Sequence, residues 1–473
     1  MELFHAAEPF TGPSSRARLK PSGIKRLVAS AVFTVCLAVP GPKQVDAAAA
    51  QGVESSVVSR LLSPKQASNV APRSPVKQSS EAVQVSGQGT LLPGGTLLWL
   101  RLGTGTSTIT SHLHDPITAR TVRRVIAGTS VAIPLGAKVR GRIDKLIPSS
   151  NPADRARLLL RFTSLELPDG SVVNLSGHVS EIENARESVL ADGTVRGLLQ
   201  SELPVSQLQV ALEKLGKKNP ATGGEIQKTA EKTLGKGSTA IEFPAGTDLT
   251  LALDKPLALP HLFSAAIPDQ LDAAMLALVD QLLSKSPTRV QSKDGKPGDP
   301  LNLVMIGSED QIQKAFQEGG WFRAEKKSDS SIWRTMQAIA RNAGYGAAPV
   351  SQLYLYGRSE DLAFEKMLNT FTKRHHLRLW RSPTAAVDGR AIWLGAATHD
   401  TGIDFRPGVA SHAIDPDLDA ERAKVGADLE VTGLVHGEQL VPRRNPVTRG
   451  LTATGATWKT DGRLLAVELK PGM

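Results

Sequence analysis

Hydrophobic and polar residues alternate along much of the chain between about residues 85 and 258. Three related motifs occur there, and each places Pro and Gly just before an alternating segment: Pro93–Leu98, Pro134–Val139 and Pro244–Leu249. Because Pro fixes φ and Gly tolerates a tight return, each motif predicts a turn that leads into a β-strand. The repeat therefore predicts three strand entries of the same kind.

A predicted hairpin lies between the second and third motifs. Arg157–Leu167 alternates as a strand, Pro168-Asp169-Gly170 is a turn sequence, and Val172–Val179 runs back as the partner strand. Together with the repeats, this hairpin predicts a β-rich domain over residues 85–260, folded as a small barrel or sandwich. A Lys-rich stretch at about 200–236 interrupts the pattern, and we predict a helical or mobile insertion there.

Residues 261–299 are predicted to form an amphipathic helix followed by a linker. Five apolar residues share one face of a helix over Pro268–Leu283, namely Leu271, Met275, Leu278, Val279 and Leu282. The opposite face is acidic rather than basic, which favours packing against a domain over binding to a membrane surface.

From about residue 300 the pattern becomes a mixture of helix and strand signals. Leu301–Ile306 is an apolar strand, and Ser308 and Gln311 frame a capping box at the start of a helix. The further predicted elements are a helix over about Ser331–Arg341, a strand over Val350–Tyr356, a helix capped by Ser359, strands over Leu377–Trp380 and Ala391–Leu394, a helix opened by Asp415-Pro416, and strands near 429–435 and 463–469. This mixture predicts a C-terminal α/β (α+β) domain over residues 300–473.

The N-terminus has the three-part layout of a cleavable secretory signal. Lys25-Arg26 precede the uncharged segment Leu27–Val39, and Val45-Asp46-Ala47 supplies small residues where a signal peptidase cuts. We predict a signal peptide over residues 1–47 and a disordered linker over 48–84. The predicted location is the periplasm or cell envelope, with no transmembrane span after signal cleavage. An uncleaved anchor is the alternative, although the uncharged segment is short for a spanning helix.

Composition narrows the functional classes. The chain has 473 residues, of which 40% are hydrophobic and 22% charged, a balance typical of globular proteins of more than one domain. The net charge is +10, but the basic residues are scattered and no aromatic–basic recognition motif occurs, so no nucleic-acid partner is predicted. The one cysteine, Cys36, excludes a disulfide framework and a multi-cysteine zinc site. No complete cofactor motif is present.

The β-rich segment resembles the β-module of the TrbI family of conjugation proteins. The resemblance rests on the short Pro-x-Gly-Thr strand entries and on the Asp169-Gly170 turn. Members of that family are envelope-spanning channel components, so the resemblance implies placement in the cell envelope.

The segment from about 300 to 470 resembles the LssY C-terminal domain family. The matching blocks occur in order along the sequence: Pro300–Val304, Ile306–Ser308, Ala315-Phe316, Gly320-Trp321, Ala348–Ser351, Leu353–Arg358, Asp361–Phe364, Arg374–Trp380, Ile392–Thr398 and Ile414–Arg422. The resemblance implies no activity that could be carried over. Some members join this domain to membrane modules that resemble lipid phosphatases, and no such module is found in this sequence.

A cluster of polar residues in these blocks is the candidate ligand site. If residues 375–380 form a strand, His375 and His376 point to opposite faces and cannot both ligate one metal. His376, Arg378 and Trp380 would share a face, where cationic and aromatic groups could hold an anionic or sugar-like ligand. The full candidate set contains Arg358, His376, Arg378, Trp380, His412 and Asp415. We predict no catalytic residue, no metal and no cofactor. A solvated strand face with a packed Trp is the alternative.

Two functional hypotheses follow. The first is an exported envelope protein that binds or scaffolds an envelope lipid, glycan or protein through its LssY-like domain. The second is a hydrolase that acts on an envelope lipid or glycan and uses the C-terminal polar cluster. The sequence leaves open whether the protein is an enzyme.

Overall fold

The computed structural model describes residues 84–86, 89–203, 206, 237–264, 268–324, 352–370, 372–387, 390–406 and 409–471. The predicted signal peptide, nearly all of the predicted linker, residues 207–236 of the predicted insertion and the predicted helix over Ser331–Arg341 lie outside these residues.

The N-terminal half of the described chain consists almost entirely of strands. One short 3-10 helix is present at Gln200–Glu202. The strands are β1 (Gln84–Ser86), β2 (Gly89–Leu92), β3 (Leu97–Leu102), β4 (Thr106–Ser107), β5 (Pro116–Thr121), β6 (Val125–Ala127), β7 (Ser130–Ile133), β8 (Lys138–Ile147), β9 (Arg157–Glu166), β10 (Val172–Ile182), β11 (Ser188–Val189), β12 (Val195–Arg196), β13 (Glu242–Phe243), β14 (Asp248–Leu253) and β15 (Leu257–Leu259).

Six of these strands close into an antiparallel β-barrel. The strands pair in the order β10, β14, β3, β5, β8 and β9, and β9 also pairs with β10 to complete the ring. Closure removes the unpaired edges of this sheet. The interior is filled by the inward side chains of all six strands, among them Leu98, Phe162 and Leu251. The prediction of a β-rich barrel is therefore confirmed.

The three repeated motifs lead into three strands of this barrel, β3, β8 and β14. Each contains a Gly in the left-handed region, with φ of 84° at Gly95, 76° at Gly136 and 93° at Gly246. In the first and third copies a Thr hydroxyl donates to the Pro carbonyl of its own turn, from Thr96 and Thr247. The repeat is therefore a hydrogen-bonded turn that sets the start of a barrel strand.

The second copy has Ala137 where the others have Thr, and a neighbouring strand supplies the hydroxyl. Thr121, at the end of β5, donates from Oγ1 to Pro134 O at 2.6 Å and accepts from Ala137 N at 3.0 Å. Thr121 is fully buried. The same turn is thus held by a contact between strands rather than within the motif.

The C-terminal half of the described chain mixes helices and strands. The elements are α1 (Ala273–Lys285), β16 (Arg289–Gln291), β17 (Pro297–Pro300), β18 (Leu303–Ile306), α2 (Glu309–Glu318), β19 (Phe322–Arg323), β20 (Tyr354–Leu355), β21 (Arg358–Ser359), β22 (Leu362–Lys366), β23 (Arg374–Val387), β24 (Arg390–Arg406), β25 (Val409–Ile414), α3 (Leu418–Glu430), β26 (Val435–Val441), β27 (Arg449–Leu451), β28 (Thr457–Lys459) and β29 (Leu464–Leu469).

The main C-terminal sheet has a helical layer on each face. Its strands lie in the order β19, β22, β23, β24, β18, β29 and β26, with β25 paired to β24. The β18–β29 pair is parallel and the others are antiparallel. One face packs against α2 and α3 and the other against α1. This mixed architecture confirms the predicted α/β (α+β) class.

Helix α1 occupies the segment whose apolar spacing predicted an amphipathic helix. Asp272 is its N-cap and accepts from Met275 N, and the buried residues of the helix include Met275 and Val279. These residues pack in one cluster with Trp380 of β23. The predicted linker that follows contains the antiparallel pair β16 and β17.

Local signals at the other helices are partly confirmed. The capping box of Ser308 and Gln311 opens α2 as predicted. The helix predicted after Ser359 is wrong, because Leu362–Lys366 forms the strand β22, whose alternating Leu362 and Phe364 enter the core. Pairing with the long strand β23 overrides the local helix signal.

The start of α3 lies two residues beyond the prediction. Pro416 O accepts from Lys459 N at 2.7 Å, so the carbonyl of the predicted first helical residue is bonded outside the helix. Asp415 Oδ1 accepts from Asp417 N, and Asp417 is the actual N-cap, accepting from Asp419 N and Ala420 N.

Among the helices of the described residues, none combines the length and the apolar character needed to cross a membrane.

The hydrogen bonds between Thr121 and the turn of the second motif lead to a prediction about stability. Thr121→Val keeps the shape of the side chain but leaves the half-buried Pro134 carbonyl and the buried Ala137 amide without their partner. We expect the free energy of unfolding, measured in urea, to fall by about 1–3 kcal/mol. The control is Thr118→Val on the same strand, where the hydroxyl is exposed and contacts Thr104, and its effect should stay within about 0.5 kcal/mol. Equal losses for the two variants would contradict this account of the turn.

Candidate functional site

Strand β23 separates the polar residues of the C-terminal sheet into two buried groups. On one face Lys366, His375 and His399 lie in cross-strand register on β22, β23 and β24. On the other face Glu365, His376 and Thr398 form the adjacent register row. Because successive residues of a strand point to opposite faces, the two histidines of the His375-His376 pair belong to different sites, as predicted.

The group on the face of Glu365, His376 and Thr398, which we call the Asp400 cluster, surrounds one carboxylate that is 2% exposed. Asp400 Oδ1 lies 3.0 Å from His376 Nε2, and Oδ2 lies 3.1 Å from Arg374 Nε and 3.4 Å from His412 Nδ1. Arg374 also donates from Nη1 to Glu365 Oε2 at 2.9 Å. The cluster is therefore a set of buried polar side chains arranged around Asp400.

The charges around Asp400 fix its ionisation. Burial alone would raise the pKa of Asp400, but the nearby His376 and His412, the hydrogen bond from His376 and the charge of Arg374 outweigh burial and hold that pKa well below its usual range. Burial lowers the pKa of His412, against the opposing effect of Asp400. The carboxylate is the fixed charge about which the other groups are arranged.

Thr398, His376 and Asp400 have the side-chain types of a nucleophile, a base and an orienting carboxylate, but Thr398 and Asp400 both approach Nε2 of His376 rather than opposite ring nitrogens. Thr398 Oγ1 lies 3.1 Å from His376 Nε2 and 3.3 Å from its Nδ1, and Arg378 Nη1 lies 3.2 Å from the same Nδ1. However, Thr398 is 2% exposed and His376 is 7% exposed. A nucleophile has to touch its substrate, and in this arrangement the hydroxyl is enclosed by protein.

The structure brings together three of the six predicted site residues, His376, Arg378 and His412. Arg358 lies on β21, where it forms an ion pair with Asp361. Trp380 is fully buried in the apolar cluster beneath α1. Asp415 lies in the turn before α3, where burial raises its pKa. The six residues therefore do not line one common pocket, and ligand binding by any of them stays a prediction.

A small cavity is present elsewhere in the C-terminal sheet region. It has a volume of about 10 Å³ and its lining includes Thr288, Asn302, Arg443 and Arg463. That volume is about the space of one water molecule, and none of the six predicted residues lines it.

The group on the face of Lys366, His375 and His399, which we call the interface cluster, joins the barrel to the C-terminal sheet. Asp248 of β14 accepts from Arg101 Nε at 2.7 Å, Lys366 Nζ at 2.6 Å and Lys424 Nζ at 2.9 Å. Asp428 of α3 accepts from the same three side chains, at 2.9 Å from Arg101, 3.0 Å from Lys366 and 2.8 Å from Lys424. Two carboxylates on different parts of the chain thus share three cations.

A third carboxylate balances the charge of the interface cluster. Glu183, directly after β10 of the barrel, lies 3.2 Å from Lys424 Nζ. Burial would raise the pKa values of Asp248 and Asp428, but Lys366 and Lys424 outweigh it and lower both. Burial would likewise lower the pKa of Lys424, but Asp248 and Asp428 raise it. The charges are mutually neutralised inside the protein.

A pair of histidines extends this cluster. His375 Nδ1 lies 2.7 Å from Glu421 Oε2, and its Nε2 lies 3.2 Å from Glu183 Oε1. Burial opposes the charged form, but these two carboxylates outweigh it and raise the pKa of His375 to about 10. The ring of His399 stacks on it with centroids 4.1 Å apart. Burial, followed by the charge of His375, lowers the pKa of His399 to about 4.

Further hydrogen bonds continue the contact along the segment after β10. Arg186 N donates to Asn369 Oδ1 at 2.9 Å, and Asn369 Nδ2 donates to Glu187 Oε2 at 2.7 Å. Lys373 Nζ donates to Ala185 O at 3.0 Å. Residues 183–187 therefore lie against the connection between β22 and β23.

Comparisons with known proteins give a match to one family model and matches to solved structures. Residues 283–464 match the family model of the LssY C-terminus. The predicted resemblance to that family is confirmed, and residues 283–464 are called the LssY-like region below. A search of solved structures matches ComB10 of the Com type IV secretion system of Helicobacter pylori, with 10% identity and a TM-score of 0.21 over 36% of this chain and 92% of that chain. No curated protein matches the chain.

The LssY-like region supplies Lys366, Lys424 and Asp428 to the interface cluster, and the barrel supplies Arg101 and Asp248. Sequence reasoning missed all five. Lys424 and Asp428 are four residues apart on one helix face, which is a spacing for an ion pair. Asp248 opens the strand after the third Pro-Gly motif. Neither signal identifies a partner in the other part of the chain.

Removing one carboxylate from the interface cluster should be strongly destabilising. Asp248→Asn leaves Arg101, Lys366 and Lys424 buried with too little negative charge. We expect the free energy of unfolding in urea to fall by about 3–5 kcal/mol. The control is Asp144→Asn in the barrel, which breaks surface contacts with Arg142 and Arg161 and should cost less than about 1 kcal/mol. Similar losses for the two variants would show that the interface cluster does not carry the contact.

Glu438 on β26 predicts an unusual pH dependence of stability. Burial, and then the charge of Glu430, raises its pKa to about 7 from the usual 4.5. A raised carboxyl pKa adds stability that is complete below about pH 4.5 and is lost as the pH rises through about 7. Glu438→Gln, which mimics the protonated form, should therefore be more stable than wild type at pH 8, by roughly 1–3 kcal/mol. The difference in free energy of unfolding should vanish near pH 4.5. Urea titrations of both proteins at pH 8 and pH 4.5 measure it, and an equal difference at the two pH values would contradict this prediction.

Proposed function

We propose that this protein is an exported cell-envelope protein that acts by binding or scaffolding. The observation that carries the proposal is the interface cluster, in which charged groups of the barrel and of the LssY-like region neutralise each other. These buried ion pairs hold the barrel and the LssY-like region in a fixed arrangement. A fixed arrangement is what a scaffold requires of its parts.

The closed state of the Asp400 cluster supports the same proposal. His376, Arg378 and His412 are the residues that would carry chemistry, and their polar atoms are directed at one another and at Asp400. In a hydrolase, such groups would face a cleft that admits substrate. The partner we propose is an envelope protein, lipid or glycan that contacts the outer surface.

A hydrolase acting on an envelope lipid or glycan is the second candidate. The contact of Thr398 with His376, and of His376 with Asp400, favours it. This function requires that the Asp400 cluster opens to solvent during turnover.

Export is the other part of the proposal, and the uncharged segment Leu27–Val39 after Lys25-Arg26 supports it. Fractionation of cells that produce the full chain, with mass spectrometry of the N-terminus, tests this part. We expect the protein in the envelope fraction with a new N-terminus close to residue 48. Recovery of the intact chain from the cytosol would contradict export.

The two candidate functions differ in the effect of Thr398→Val. The protein would be assayed for hydrolysis of lipid phosphate esters and of envelope glycans, beside Thr398→Val and the control Thr401→Val. The hydroxyl of Thr401, also on β24, is exposed and donates to Ala413 O. For a scaffold, we expect no hydrolysis above the level of Thr398→Val. Hydrolysis by wild type and Thr401→Val, lost in a folded Thr398→Val protein, would overturn the scaffold in favour of the hydrolase.

A further inference from the structure

The histidine pair and the helix beside it bring metal-binding groups together. His375 and His399 are direct cross-strand partners on β23 and β24, and Glu421 reaches them from α3. One ligand atom from each of the three residues lies within 4.8 Å of the others. Two imidazoles and a carboxylate form a donor set typical of zinc sites.

Two polar atoms of this group are buried without a hydrogen bond among the described residues. These are Glu421 Oε1 and His375 Nε2, in side chains that are 2% and 4% exposed. The 3.2 Å approach of Glu183 Oε1 to His375 Nε2 is an ion contact without hydrogen-bond geometry. A buried carboxylate oxygen with no donor is costly to maintain. Its position beside two imidazoles indicates that a cation belongs there.

The orientation of Asn184 fixes the tautomer of His399. Asn184 Nδ2 donates to Lys366 O at 3.2 Å, so its Oδ1 is the atom that faces His399 Nε2 at 3.0 Å. An amide oxygen accepts, and therefore His399 Nε2 carries the hydrogen. The other nitrogen, Nδ1, then has a free lone pair. An outer hydrogen bond of this kind is what orients a metal-ligating histidine.

We propose that His375, His399 and Glu421 bind one Zn²⁺-like transition-metal ion at the junction between the barrel and the LssY-like region. Binding of the ion releases to solvent the proton on His375 Nδ1, the nitrogen that lies 2.7 Å from Glu421 Oε2. Glu183 of the barrel lies 3.2 Å from the other ring nitrogen, Nε2, and the neighbouring Asn184 contacts His399. These two contacts connect the proposed site with the barrel.

Metal binding requires a small rearrangement of the rings. In a tetrahedral zinc site the ligand atoms lie about 3.3 Å apart, as follows from metal–ligand bonds of about 2.0–2.1 Å. The present separation of up to 4.8 Å and the stacked rings mean that the two imidazoles must turn toward each other. Such a turn changes χ angles and leaves the strands in place.

The test uses the purified full chain, freed of metal with a chelator and then dialysed. We expect Zn²⁺ to bind with a stoichiometry of one in calorimetry and to raise the melting temperature, since an ion that binds the folded state stabilises it. Co²⁺ as the probe should give the visible absorption bands of a site of low coordination number. X-ray absorption of the Zn²⁺-loaded wild type should show imidazole scattering from two histidines.

Variants separate this site from other histidines. His399→Gln and Glu421→Gln should weaken Zn²⁺ binding by at least about 100-fold, and Asn184→Ala by about 10-fold through the loss of the outer hydrogen bond. The matched control is His436→Gln on β26, an exposed histidine outside the site, which should bind as wild type does. Circular dichroism checks that each variant is folded.

Three results would overturn the proposal. The first is the absence of saturable Zn²⁺ or Co²⁺ binding by the wild type. The second is unchanged binding in folded His399→Gln and Glu421→Gln proteins. The third is an X-ray absorption spectrum without imidazole scattering. The last measurement needs no variant, so it holds if the substitutions prevent folding. None of these results bears on export or on the absence of turnover, so the metal site and the proposed function fail independently.

Discussion

Asp248 and Asp428 lie on different parts of the chain and share the same three cations, Arg101, Lys366 and Lys424. Charges buried in this way are tolerated when each is paired, and removal of any partner leaves an uncompensated charge. The pairing therefore constrains both parts of the molecule at once. The strand that carries Asp248 must stay in the barrel, and the helix that carries Asp428 must stay on its sheet, for either carboxylate to keep its partners.

This constraint also accounts for the conspicuous pair of polar residues in the sequence, His375 and His376. The His375-His376 pair invites the idea of a single catalytic centre, but the strand directs one histidine to the interface and the other to Asp400. Each histidine contacts a carboxylate inside the protein, His375 with Glu421 and His376 with Asp400. The conspicuous polar blocks of the LssY-like region, which read as a ligand site, thus serve in large part to hold strands and the barrel together.

Sequence reasoning succeeded where a feature is local and failed where distant residues meet. The capping box at Ser308 and the three Pro-Gly turns depend on residues within one or two turns of chain, and both are present. The segment after Ser359 became a strand because β23 offers a hydrogen-bonding partner that local pattern cannot reveal. The interface cluster could not be predicted for the same reason, since no residue near Asp248 in sequence indicates that α3 will lie beside it.

We expect the barrel and the LssY-like region to unfold as one unit, because they share buried charges. Differential scanning calorimetry of the full chain tests it most directly. We predict one unfolding transition in which the calorimetric enthalpy equals the van't Hoff enthalpy, as expected when all of the structure is lost together. Two separate transitions, one for the barrel and one for the LssY-like region, would contradict the account.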